Sequence, residues 1–103
     1  MNPFFDRLGE MWARALHKRN VDADPPILTS AVADELLELA RVAAHTQERR
    51  FAPLVSYTAG VAAERLRRAR PQLTESDLAE LVREVRQELE RSDGQETTRD
   101  GAE

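Results

Sequence analysis

Cysteine is absent from this chain, lysine occurs once, at Lys18, and aromatic residues make up only 5%. The absence of cysteine excludes disulfides, thiolate metal sites and a cysteine nucleophile, so packing must stabilise the fold. No uncharged run approaches the roughly 18 residues that a membrane span needs, and the N-terminus lacks the basic and apolar regions of a secretory signal. We therefore expect a cytoplasmic protein that does not contact the membrane.

Negative charge is concentrated at the C-terminal end of the chain. The 103 residues carry a net charge of −4, and residues 71–103 contain ten acidic and four basic groups. A basic excess is the usual mark of a nucleic-acid-binding protein, so this balance argues against nucleic acid as the partner. The length, with 41% hydrophobic and 33% charged residues, predicts one domain with a single modest core.

The first predicted helix begins at Pro3, after Asn2 as a suitable N-cap, and ends near Lys18. Apolar side chains recur along it at spacings of three and four, which places them on one face. These are Phe4, Leu8, Met11, Trp12, Ala15 and Leu16. We expect His17 to contact the last carbonyls of the helix.

The large side chains of this helix exceed what short, Ala-rich neighbours can cover. Exposed apolar patches of this kind usually mark interfaces. We therefore predict contact with a larger protein or a second copy of the chain. The predicted interface consists of Phe4, Phe5, Met11 and Trp12.

A connector containing Pro25 and Pro26 leads to the second helix, because two successive prolines do not fit inside a helix. The second helix begins after Thr29 or Ser30 and ends between His45 and Arg50. Its expected inner stripe is Val32, Leu36, Leu39, Ala40 and Ala43. Its expected outer side chains are Glu35, Glu38 and Arg41.

The third helix is expected to begin at Pro53 and to end near Ala69. Residues 52–63 carry no charge, and a helix that is apolar or small on every side belongs in the middle of a bundle. We therefore predict that this helix is the most buried element. Gly60, a lone glycine inside it, is typical of a close helix crossing.

The fourth helix has the strongest local signal, since Thr74 and Asp77 form a capping box and Leu73 can pack on Leu78. Its narrow apolar stripe, among many Glu and Arg residues, predicts a solvated outer helix. From Ser92 onward there is no apolar periodicity, which predicts a disordered acidic tail. The expected architecture is an all-α, compact four-helix bundle with a buried third helix, a domain over residues 1–91 and a tail over 92–103.

No constellation in the sequence predicts catalysis, a metal site or a cofactor. His45 and Glu48 are three residues apart, but a metal site in a bundle needs ligands from several helices. Ser56, Tyr57 and Thr58 are consecutive, without a histidine placed to activate them. We therefore expect no enzyme activity.

The corner between the second and third helices carries His45, Arg49, Arg50 and Pro53 within nine positions. Amides at the start of a helix, beside an arginine, can bind an anion. We hypothesise that this corner binds a carboxylate of a partner or a phosphate of a ligand. In the structural alternative, Arg49 caps carbonyls or pairs with Glu48, and His45 satisfies a backbone group.

Residues 31–66 resemble a small helical domain of unknown function from high-GC Gram-positive bacteria. The resemblance lies in LLELAR at 36–41, Ala44-His45, Arg49, APL at 52–54 and GVAA at 60–63, with Trp12 as a weaker match. That domain is often attached to the C-terminus of molybdenum cofactor guanylyltransferases. The resemblance implies an accessory module near molybdenum cofactor synthesis or delivery and implies no catalytic residues.

Three functions remain open at this point. The first is a non-catalytic module that binds a larger protein through the first helix or the corner. The second is a protein that binds an anion or small molecule, such as a pterin or a nucleotide phosphate, through His45, Arg49 and Arg50. The third is a nucleic-acid-binding regulator, which the acidic balance disfavours.

Overall fold

The computed structural model describes the backbone of residues 2–102 and the side chains of residues 2–92. This part of the chain contains four α-helices and no strand. They are α1 (Pro3–His17), α2 (Ser30–Thr46), α3 (Phe51–Ala69) and α4 (Glu75–Ala102). The predicted all-α, four-helix fold is confirmed. The sequence predicts a disordered tail over residues 92–103. The side chains beyond Ser92 lie outside those described, so the tail stays a prediction.

The chain divides into two units, Met1–Ser30 and Ala31–Glu103. The first unit contains α1 and the proline-rich connector, and the second contains nearly all of α2 together with α3 and α4. The single domain expected over residues 1–91 stays a prediction. No helix in the described part of the chain combines the length and apolar character that a membrane crossing requires.

In the first unit, α1 begins where the sequence predicts, and the proline-rich connector packs against it at Gly9. Asn2 Oδ1 accepts a hydrogen bond from the Phe4 amide at 2.8 Å, and a proline occupies the first turn. Gly9 is buried, and a Cβ at that position would lie 2.8 Å from the Pro26 carbonyl oxygen and 3.5 Å from Pro25 Cβ. The connector therefore lies against α1 at the one position that has no side chain.

The C-terminal end of α1 is closed by the backbone. Asn20 has a φ of 64°, and the Val21 amide donates to the Leu16 carbonyl at 2.9 Å. This is a common helix ending, in which a residue in the left-handed conformation lets the next amide reach back to an unpaired carbonyl. The expected contact of His17 with these carbonyls is wrong, because its Nδ1 lies 2.6 Å from Asp22 Oδ1.

The buried apolar side chains of the described residues lie on α2 and α4. These are Ala33, Leu39, Val42 and Ala43 on α2 and Leu78, Ala79 and Val82 on α4. The expected stripe of α2 is confirmed in part: Leu39 and Ala43 are buried and its other members are half-buried, while Ala33 and Val42 are buried although the prediction did not include them. The predicted fourth helix, solvated apart from a narrow apolar stripe, agrees with the structure: Glu80, Glu84 and Glu88 are exposed, and the buried side of α4 supplies three of these seven side chains.

The prediction that the third helix is the most buried element is wrong. No residue of α3 is buried: Val55 and Ala59 are half-buried, and Ala62 is exposed. A helix without charges needs neighbours on every side to be covered, and a unit of three helices leaves the outer face of each one in solvent. Gly60 lies on this outer face, since a Cβ there would meet no atom within 4 Å, and it marks no helix crossing.

A charged cluster joins α2 to α4. Glu35 was expected to face solvent, but its side chain is only 13% exposed, and Oε1 accepts a hydrogen bond from Arg83 Nε at 3.1 Å. Its Oε2 lies 3.8 Å from Arg86 Nη2, and Arg86 also donates to Glu90 at 2.9 Å. Glu35 Oε2 and Arg86 Nε are buried without a hydrogen-bond partner, so the two arginines offset only part of the cost of removing this carboxylate from water. The cluster pairs α2 with α4.

Candidate functional site

The corner between α2 and α3 is exposed at every residue that the sequence singles out. His45 lies in the last turn of α2, Arg49 and Arg50 lie between the helices, and Pro53 lies in the first turn of α3. Arg50 pairs with Glu48 at 3.4 Å, and its guanidinium lies 5.9 Å from the Phe51 ring centroid. The corner therefore places two arginines and a histidine side by side at the surface.

The contacts of the corner do not match the structural alternative, in which Arg49 caps carbonyls or pairs with Glu48 and His45 satisfies a backbone group. Within the described residues, the Arg49 and His45 side chains make no hydrogen bond or ion pair, and Glu48 is paired with Arg50 instead. Arg49 and His45 are thus accessible to a ligand.

The first two backbone amides of α3 are already bonded. The Phe51 amide donates to the Glu48 carbonyl at 2.9 Å, and the Ala52 amide donates to the Arg49 carbonyl at 3.1 Å. Pro53 has no amide hydrogen, so these three positions offer no donor to an anion. Helix α3 begins at Phe51, two residues before the predicted start, because a proline is tolerated throughout a first turn. An anion at the start of α3 would therefore depend on the side chains of the corner and not on these amides.

The second predicted site, on α1, is an apolar surface. Phe4, Met11 and Trp12 are 51%, 54% and 55% exposed. Phe5 is half-buried, and its ring meets the Phe4 ring edge to face with centroids 5.1 Å apart. We call Phe4, Phe5, Met11 and Trp12 the α1 face. The structure exposes three of its four large side chains, as an interface requires.

A third feature, which the sequence did not reveal, is an apolar cleft in the second unit. It has a volume of about 250 Å³ and receives side chains from α2, α3 and α4. The lining is Leu39, Val55, Thr58, Ala59, Ala62, Leu81, Val82 and Val85. The signal that could have found it is the pair of alanines on α3 facing the outer part of the α4 stripe, because small residues leave space where larger ones would fill it.

Two of the three consecutive hydroxyls of α3 donate to backbone carbonyls of their own helix. Ser56 Oγ donates to the Ala52 carbonyl at 3.0 Å, and Thr58 Oγ1 donates to the Val55 carbonyl at 2.7 Å. Tyr57 is exposed. Among the described residues there is also no group of three or more His, Cys, Asp or Glu side chains that could hold a metal ion.

Asp77 has a pKa that clearly departs from its ordinary value. The pKa of Asp77 lies below 3.8, chiefly because the Thr74 amide donates a hydrogen bond to its Oδ2 at 2.9 Å, with a further contribution from the Thr74 side chain. The Asp77 amide in turn donates to Thr74 Oγ1 at 3.2 Å. This is the predicted capping box, which is confirmed, and its role is to begin α4.

The architecture and these surfaces define a small all-α domain with exposed apolar and basic sites. A family model described as a domain of unknown function, DUF6457, matches residues 6–97. The chain belongs to this family, which confirms the resemblance to a small domain of unknown function. The match includes nearly all of α1 and most of α4, well beyond the 31–66 stretch that carried the resemblance. No curated protein and no solved structure matches the chain.

Proposed function

We propose that this chain is a non-catalytic accessory module of the cytoplasm that binds another protein through the α1 face. The observation that carries the proposal is the exposure of Phe4, Met11 and Trp12, each more than half accessible on one short helix. Aromatic side chains and methionine are enriched in the centres of protein interfaces, and tryptophan is among the residues that contribute most to binding. The partner we propose is a larger protein of molybdenum cofactor synthesis or delivery, which the family resemblance suggests.

Affinity capture from the native cell, with mass spectrometry of the retained proteins and small molecules, tests this proposal. We expect the wild-type chain to retain a protein of molybdenum cofactor metabolism and Trp12→Ala to lose it. Leu37→Ala is the matched control, because Leu37 is an apolar side chain of α2 that is 70% exposed and lies outside the α1 face. Equal retention by both variants would exclude the α1 face, and retention of unrelated proteins only would exclude the molybdenum cofactor link.

A second candidate function is anion binding at the corner, through His45, Arg49 and Arg50 beside Pro53. The His45 and Arg49 side chains have no partner among the described residues, so the Arg49 guanidinium and the His45 ring can contact a phosphate or carboxylate. Calorimetric titration with a pterin, a nucleotide and inorganic phosphate tests it. Binding that Arg49→Ala abolishes and Arg68→Ala preserves would support the corner, since Arg68 is an exposed arginine at the other end of α3.

A further inference from the structure

The apolar cleft of the second unit is too small for most small molecules and fits a single large side chain. Its volume of about 250 Å³ lies below the range of roughly 300–1,000 Å³ that is usual for small-molecule sites. Thr58 is its only polar lining residue, so there is almost nothing to orient a polar ligand. Val85 is 48% exposed and Ala62 is also exposed, which shows that the cleft opens to the surface.

An acidic groove adjoins this cleft. Leu81 lines both the cleft and a groove of about 680 Å³ between the end of α3 and the start of α4. The groove contains the carboxylates of Asp77, Glu80 and Glu84, and also Arg70 and Arg83. The groove keeps an excess of negative charge, because it has three carboxylates against two arginines and Arg83 is shared with Glu35, which lies outside the groove. An occupant that fits both parts has a large apolar side chain followed by basic residues.

The chain carries such an element in α1 and the residues that follow it. Trp12 is the largest apolar side chain of the α1 face, and it is 55% exposed. Arg14, Lys18 and Arg19 follow within seven positions, and residues 11–19 contain no acidic group. The order of apolar and basic groups along this helix therefore matches the order of cleft and acidic groove.

We infer that the chain self-associates, with Trp12 of one copy inserted in the apolar cleft of a second copy and its basic residues lying along the acidic groove. The inference rests on the proposed role of the α1 face in protein binding and identifies a second copy as an occupant of the cleft. A reciprocal exchange forms the same contact twice. Each insertion then needs to bury only half of the roughly 1,200–2,000 Å² of a stable interface.

Sedimentation velocity over a dilution series of the purified chain tests the inference. We expect a reversible dimer that Trp12→Ala and Val85→Glu each weaken at least tenfold, while Leu37→Ala leaves it unchanged. Added salt should also weaken the dimer, because the contacts with the groove are electrostatic. Fluorescence of Trp12, the only tryptophan, should shift to shorter wavelength as the concentration rises.

Mixing the two weakened variants distinguishes this arrangement from a pairing of two α1 faces. The Val85→Glu copy retains an intact α1 and the Trp12→Ala copy retains an intact cleft, so the mixture should associate more tightly than either variant alone. If circular dichroism shows that Val85→Glu is unfolded, Ala62→Glu replaces it, because Ala62 is an exposed cleft residue.

Three results would overturn the inference. These are a monomer at every concentration, a Val85→Glu variant that dimerises like the wild type, and a mixture no tighter than its components. A purified monomer that still retains a cellular protein through Trp12 would refute self-association and leave the proposed function standing. A wild-type chain that forms the dimer but retains no other cellular protein would do the reverse.

Discussion

Gly9 and Gly60 should respond in opposite ways to replacement by alanine. Gly60 is exposed on α3, has no positive φ, and a Cβ there would meet no atom within 4 Å. Alanine is favoured over glycine inside a helix by about 0.8–1.0 kcal/mol. Gly60→Ala should therefore stabilise the second unit by up to that amount, which corresponds to a rise in melting temperature of about 4–8 °C for a unit of this size.

Gly9→Ala places a methyl group against the backbone. The new Cβ would lie 2.8 Å from the Pro26 carbonyl oxygen, so the connector or the helix must move. Overpacking of this kind costs about 1–3 kcal/mol, and the gain in helix propensity offsets about 1 kcal/mol of it. We expect a net destabilisation of the first unit by about 0–2 kcal/mol, with faster proteolysis in the connector.

Two spectroscopic signals separate the effects. Far-ultraviolet circular dichroism reports on all the helices, whereas the fluorescence of Trp12 reports on α1 alone. A fall in melting temperature with Gly60→Ala would mean that something packs closely on that face of α3. Equal stabilisation by the two substitutions would show that the connector does not lie on Gly9, and would refute the reasoning.

Three further substitutions test other contacts. Glu35→Gln removes the charge between two arginines and should lower the free energy of unfolding, measured in urea, by about 1–3 kcal/mol. Glu38→Gln, in an exposed ion pair, is the control and should lower it by about 0–1 kcal/mol. Similar losses for the two variants would contradict the burial of Glu35. Because folding lowers the pKa of Asp77, the ionised carboxylate stabilises the fold above pH 3.8, and this stabilisation is lost as the pH falls through the pKa of the folded state. Asp77→Asn should therefore lower the melting temperature at neutral pH and have no such effect in strong acid. A difference in melting temperature that does not change with pH would refute this reasoning. Arg49→Ala should change stability by less than about 0.5 kcal/mol, and a loss of several degrees would show that Arg49 has a structural partner.

The helix boundaries could be predicted because they depend on neighbouring residues. The cap at Asn2 and the box of Thr74 and Asp77 are made by side chains within three positions of the amides they bond. The start of α3 was misplaced by two residues because Pro53 is compatible with several positions in a first turn. Local signals thus predict the presence of each helix, but they do not always determine its first residue.

The candidate sites were predicted in part. The α1 face and the corner are recognisable in sequence because large apolar or basic residues cluster within one short segment. The cleft could not be predicted, because Leu39, Val55 and Val85 come from three helices and meet only in the folded unit. Nor does the sequence show that the Phe51 and Ala52 amides are occupied, since this depends on the turn that Glu48 and Arg49 adopt.

The sequence by itself determined the all-α class, the four helices, the inner stripe of α2 and the apolar character of the α1 face, since periodicity and caps act over a few residues. Tertiary structure alone decided which helices supply the core. The uncharged stretch of α3 shows that burial would be tolerated, whereas burial itself requires neighbours that three helices cannot provide on every side. In the same way, Glu35 lies inward because Arg83 and Arg86 of α4 face it, and a partner nearly fifty residues away leaves no trace in the local pattern.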